Sequence, residues 1–152
     1  DNMKGISYEV LFARHLKDSK SLTIEDPYIR ENHQIRNLFE FLEMFYKMTP
    51  EGEESEVHLV TVKDDDPYKS KNQEEDLNEI VNNFETSRVK FSFNFSETPL
   101  HARSIQTDTG WKISLDRGLD IFQQHEFGRF NLATKLQEER LSKKFEITYL
   151  KI

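Results

Sequence analysis

The segment Val89–Phe95, VKFSFNF, alternates without exception. Val89, Phe91, Phe93 and Phe95 fall on one side, and Lys90, Ser92 and Asn94 on the other. A period of two fits an extended strand, not a helix. The chain therefore contains a sheet, and its phenylalanine face must be covered by other elements.

The covering elements are legible nearby. Tyr8, Leu11, Phe12 and Leu16 fall close to helical spacing. The stretch SLTIEDPYI reads as a short strand that stops at Asp26-Pro27, because proline cannot donate to a ladder. From Ile35, the positions Leu38, Phe39, Leu42, Phe45 and Tyr46 repeat every 3.6 residues, and Phe41, Met44 and Met48 widen that stripe. They predict a helix over 33–48, buried on more than one side and ended by Thr49-Pro50. EVHLVTV predicts a buried strand over 57–62. KDDDPYKSKNQEED is too polar to pack and reads as a solvated loop, with a helix over 75–85 from Leu77, Ile80, Val81 and Phe84.

After Pro99 the pattern is a hairpin. One arm carries His101, Arg103 and Ile105, the turn is Asp108-Thr109-Gly110, and the other arm carries Trp111, Ile113 and Leu115. A loop around Gly128, a helix from Leu132 to Leu141 and a last strand in FEITYLKI complete the chain. This order predicts an α/β fold, a mixed sheet flanked by helices, with central strands that include 57–62, 89–95 and 101–107.

The 152 residues suit one domain spanning 1–152, long enough to bury a core without disulfides. There is no cysteine, which removes disulfides, thiolate metal sites and cysteine nucleophiles. No apolar run is long enough to cross a bilayer, the start has no signal-peptide pattern, and the absence of cysteine is compatible with a cytoplasmic location, which is the expectation. The net charge of −7 is uneven: residues 51–79 hold eleven Asp or Glu against three Lys, and the rest is close to balanced. Local fields decide docking, so the total does not exclude an anionic partner. A pI near 5.3 and the lack of a dense basic stripe weigh against nucleic acid.

The chemistry concentrates in His101–Asp108, HARSIQTD. In phosphodiester transfer an imidazole attacks phosphorus or protonates the leaving oxygen, a cation neutralises the phosphoryl oxygens, and a carboxylate orients an imidazole. Two residues apart on a strand, His101 and Arg103 would share one side, with Asp108 at the turn.

The segment TPLHARSIQTDTGWKISLD resembles the HxKxxxxD signature of the phospholipase D superfamily. His101, Arg103 and Asp108 take its histidine, lysine and aspartate positions. Two departures stand out. Arg103 replaces the lysine with a bulkier planar cation. Where the superfamily carries GSxN the chain reads ISLDRGLD. Only one motif is present, so catalysis would need a homodimer that brings two copies together. Over nearly its whole length, through IEDPYIRENHQIRNLFEFLE and HARSIQTDTGWKISLDRGLDIFQ, the chain resembles the phospholipase D-like C-terminal domains of MIT-domain proteins.

That resemblance implies a homodimer that binds anionic phospholipid membranes, phosphoinositides included, without being an active phospholipase. It also implies a role in cytokinetic abscission, at the midbody and late endosome membrane. ESCRT-III subunits would be bound by a MIT module outside these residues. The alternatives are a phosphodiesterase assembled across the homodimer, and a dimerisation scaffold that binds only protein.

The remaining candidates have plainer readings. His15, His33, His58 and His125 lack a shared spacing, so no metal site or cofactor is expected, and His58 reads as a hydrogen-bonded core histidine. Asp64-Asp65-Asp66 lacks the ordered ligands of a calcium loop. Trp111 reads as core rather than as a membrane anchor. The candidate lipid-binding cations are Arg103, Lys112, Arg140, Lys143 and Lys144, with Arg14, Lys17 and Lys20 as a second set.

Overall fold

The structure, a computed structural model, describes residues 3–123 and 132–152. A six-stranded mixed sheet forms its centre: β1 (Ser21–Glu25), β2 (Ser55–Thr61), β3 (Val89–Phe95), β4 (Ser104–Thr107), β5 (Trp111–Leu115) and β6 (Ile147–Lys151). The spatial order is β3-β2-β1-β4-β5-β6. β1, β2 and β3 run parallel, and β4, β5 and β6 add antiparallel neighbours on the other side of β1. Parallel neighbours need crossovers, and α2 (Asn32–Met48) and α3 (Pro67–Phe84) supply them. α1 (Tyr8–Leu16) packs beside α2.

The core lies between the three helices and one face of the sheet. Leu22, Ile24, Val57, Leu59, Val89, Phe91, Ile105, Ile113 and Leu115 point to it from the strands. Tyr8, Phe12, Leu38, Phe41, Leu42, Phe45 and Leu77 meet them from the helices. The other face of the sheet presents polar groups: the register aligns His58 with Thr23 and Ser92, and Gln106 with Thr23 and Lys112. The helices therefore gather on one face.

The alternation of β3 and the stripe of α2 appear as read, within a residue at each end. Other expectations need correction. β3 is an edge strand, not a central one. β4 begins at Ser104, so His101 and Arg103 lie before the strand. Most of the predicted loop KDDDPYKSKNQEED is the first half of α3. Asp66 caps it by accepting from the N–H groups of Tyr68 and Lys69, and Pro67 occupies the first turn, where no donor is needed. Within this polar stretch Gln73 is buried, its amide donating to the carbonyls of Ile29 and Val62.

The predicted helix over 132–141 is a short α4 (Leu132–Lys135) followed by a 3-10 turn, Gln137–Glu139. The loop around Gly128 and the residue His125 lie outside the described residues. His58 is hydrogen-bonded as expected, Nδ1 with Ser92 Oγ at 2.7 Å, but on the polar face rather than in the core. Trp111 is half-buried: its ring meets His15 edge-on at 4.6 Å, and His15 in turn stacks on Tyr149 at 3.9 Å.

Candidate functional site

β1 and β4 are antiparallel neighbours, so the end of one meets the start of the other. This pairing decides the geometry of the motif. Arg103, just before β4, faces Asp26, just after β1. Asp108, just after β4, faces Lys20, just before β1. The strand between them separates Arg103 from Asp108 by roughly 16 Å at 3.3 Å per residue. Both carboxylate oxygens of Asp108 accept from the Lys20 N–H, at 3.0 and 3.2 Å. Asp108 therefore fixes the start of β1, and does not orient His101. His101 itself is exposed and precedes the strand.

Arg103 is half-buried against the protein's own groups. Its Nε lies 4.0 Å from Asp26 Oδ1, and its guanidinium rests on the Tyr28 ring, 4.3 Å from the centroid. Asp26 is 4% exposed and accepts from the Tyr28 N–H at 2.9 Å. Burial pushes its carboxyl up from 3.8 to about 6, against the opposing pull of the Tyr28 N–H and the Arg103 charge. Gly118 closes the arrangement from the far side with φ +59°. A Cβ there would lie 2.2 Å from Asp26 Oδ2 and 3.2 Å from Arg103 Cδ. This glycine belongs to the ISLDRGLD stretch, so the segment that departs from GSxN here seats the Asp26–Arg103 pair.

Asp26, Tyr28, Gln34, Asn37, Arg103, Arg117 and Asp120 enclose a cleft of about 10 Å³. That is room for about one water, not for a phosphate. A groove of about 370 Å³ lies elsewhere, at the start of α1 and along α2, but Glu9, Glu40, Glu43 and Glu138 line it against Lys47. Its charge is wrong for an anion.

Of the predicted cations, Lys143 and Lys144 come near this cleft. Lys143 Nζ pairs with Asp120 Oδ1 at 2.9 Å, and Asp120 Oδ2 lies 3.4 Å from His33 Nε2. Arg117 Nε donates to the Lys144 carbonyl at 2.7 Å, so these two exposed cations are neighbours. Lys112 sits half-buried on the polar sheet face, opposite Gln106 and Leu150, away from the others.

Arg140 must be withdrawn as a lipid ligand. It is 3% exposed, its two terminal nitrogens donate to both oxygens of Glu40 at 2.6 and 2.7 Å, and its Nε donates to the Ala133 carbonyl. Burial beside a carboxylate explains why: a charge this deep must be paired. Lys20 stands at the Asp108 end of β1, with Nζ 3.1 Å from Glu53. It is therefore remote from the Arg103 end.

Sequence reasoning missed Asp26, Tyr28, Arg117, Gly118 and Asp120. The Asp-Pro step marked only a strand end, yet a carboxylate at the carboxyl end of a parallel strand stands where open α/β sheets place their ligands. Among the described residues no group of three or more His, Asp or Glu is placed to hold a metal ion. No helix among them is long and apolar enough to cross a membrane.

The mixed sheet, the helices on its face and the HxRxxxxD motif at the β1–β4 pair define a phospholipase D-like domain. The comparisons narrow the class. Residues 5–151 match the family described as a phospholipase D-like domain at the C-terminus of MIT. The chain is 35% identical over 134 residues to MIT domain-containing protein 1 of Mus musculus, an alignment that covers 88% of this chain and 52% of the mouse protein. The chain thus belongs to the MIT C-terminal phospholipase D-like family, and it spans about half the length of that relative.

Proposed function

We propose that this domain is a non-catalytic module that binds anionic phospholipid, phosphoinositides included, as a homodimer on a membrane surface. In a longer chain carrying a MIT module it would join ESCRT-III subunits to that membrane during cytokinetic abscission, at the midbody and on late endosomes.

One observation carries the non-catalytic part. The motif's cation is occupied by Asp26 and Tyr28 in a cleft with no room for phosphate, and the motif's aspartate is used at the opposite end of β4. A nucleophile, a cation and an orienting carboxylate must converge to act on phosphorus. Here they diverge.

The membrane part rests on exposed charge at the same end of the sheet. Arg117 and Lys144 are neighbours at the surface, with Lys143, Arg30 and His101 further groups at this end. Each basic side chain near an anionic surface contributes about 1 kcal/mol.

The test is vesicle co-sedimentation at low and high salt, with neutral vesicles and vesicles carrying phosphoinositides, alongside a phosphodiesterase assay. Salt-sensitive binding to anionic vesicles with no turnover is expected. Turnover that disappears in His101→Ala would overturn the non-catalytic reading, and equal binding to neutral vesicles would overturn the electrostatic one.

A further inference from the structure

The apolar stripe of α2 is wider than its neighbours cover. Met44 and Met48, at its margin, are only half-buried. Leu136, 40% exposed, joins them in lining the groove of about 370 Å³ at the start of α1.

The walls of this groove are tied to one another. The Tyr8 N–H donates to Gln137 Oε1 and the Gly5 N–H to the Glu138 carbonyl, both at 2.8 Å, which holds the start of α1 against residues 137–138. Arg140 fastens the same segment to α2 through both oxygens of Glu40.

Those bonds also decide the charge of the groove. Arg140 neutralises Glu40, whereas Glu9, Glu43 and Glu138 are exposed and have no ion-pair partner among the described residues. Three open carboxylates thus stand against one ammonium, that of Lys47. They are spread along the groove: among the described residues no three acidic groups lie close enough to hold a metal ion. The complement of this surface is a set of separated positive charges with an apolar face between them.

We propose that the groove docks a basic amphipathic helix of a partner protein. Lysines or arginines of that helix meet Glu9, Glu43 and Glu138, and its apolar face lies on Met44, Met48 and Leu136. Met44 and Met48 are one turn apart, about 6 Å along α2, which is the step between anchors i and i+4 on a docked helix. Methionine side chains adapt to anchors of different shape, so recognition rests on charge and amphipathic spacing more than on one sequence. The same carboxylates repel acidic peptides and anionic lipid. The surface is therefore separate from the membrane-docking end of the sheet and does not depend on that reading.

The experiment is a fluorescence-anisotropy titration of the chain into a labelled Leu–Lys peptide of about 14 residues with its leucines at helical spacing, at low and high salt. Binding that weakens with salt is expected. Glu43→Lys/Glu138→Lys should weaken it about tenfold or more, and Leu136→Ser severalfold. Asp65→Lys/Glu75→Lys alters the net charge equally at exposed positions of the acidic stretch and should leave binding intact. All six substituted side chains or their parents lie outside the core, and circular-dichroism melting checks that each variant is folded; Leu136→Ser alone, with no change of charge, keeps the test if a charge-reversed variant is not.

No binding at low salt would overturn the proposal. So would equal loss in the two charge-reversed variants, which would mean attraction by total charge. A scrambled peptide of the same composition, or spermine, binding as tightly as the amphipathic peptide would also overturn it, since neither offers an apolar helical face.

Discussion

Arg103 and Asp26 face each other across the β1–β4 junction with Nε and Oδ1 4.0 Å apart, and the carboxylate is the more deeply buried partner at 6% side-chain exposure. The cation at the lysine position of the motif thereby faces the protein's own anion. The cost of that burial appears in the acid, whose carboxyl is raised to about 6.

Asp26 therefore gives the fold a pH dependence of unusual sign for a carboxylate. Its folded value of about 6 lies above the ordinary 3.8, so between the two the folded state holds the extra proton. This contribution to stability is fully present below about 4 and falls as pH rises through about 6. Asp26→Asn keeps an acceptor for the Tyr28 N–H and removes the buried charge. It should flatten urea-denaturation stability between about pH 4 and pH 7, and raise it at pH 7 by on the order of 2 kcal/mol.

Gly118→Ala should disrupt the same pair. Its left-handed φ of +59° costs a side chain about 1–2 kcal/mol, and the new Cβ would lie 2.2 Å from Asp26 Oδ2. A loss of more than about 2 kcal/mol in denaturant unfolding is expected. A neutral effect would mean that Asp26 can move aside and that Arg103 is not held as described.

The Arg140–Glu40 pair is structural. Glu40→Gln leaves a guanidinium that is 2% exposed without its counter-charge. A loss of about 3 kcal/mol is expected, with the double variant Glu40→Gln/Arg140→Met recovering part of it in a thermodynamic cycle. Vesicle binding by folded Arg140→Met should equal that of the parent chain.

The start of α3 depends on its cap. Asp66→Ala removes the acceptor for Tyr68 and Lys69 and should cost about 1 kcal/mol in thermal or urea unfolding.

Local signals in the sequence carried local structure. The alternation of VKFSFNF and the apolar stripe from Ile35 translated directly into β3 and α2, since both patterns follow from which face is buried. The first half of α3 was missed because its burial runs through Ser70 and Gln73 rather than apolar residues. Its Asp-Pro start was nevertheless a helix signal in plain view. The surroundings of Arg103 were not legible at all. They come from residues 26, 28 and 118, brought together by the antiparallel placement of β4 beside β1, and no spacing within HARSIQTD encodes that. The run Arg140, Lys143, Lys144 misled for a related reason: adjacency in sequence said nothing of which cation turns inward to Glu40, which pairs with Asp120 and which meets solvent.

The most direct measurement is co-sedimentation with phosphoinositide vesicles of three forms: the parent chain, Arg117→Glu/Lys144→Glu at the Asp26 end, and Arg14→Glu/Lys17→Glu at the other. The account predicts that the parent binds and loses binding at high salt, that the first pair reduces binding at least tenfold, and that the second leaves it nearly intact. Binding that survives Arg117→Glu/Lys144→Glu, or a parent chain that does not bind at all, would contradict it.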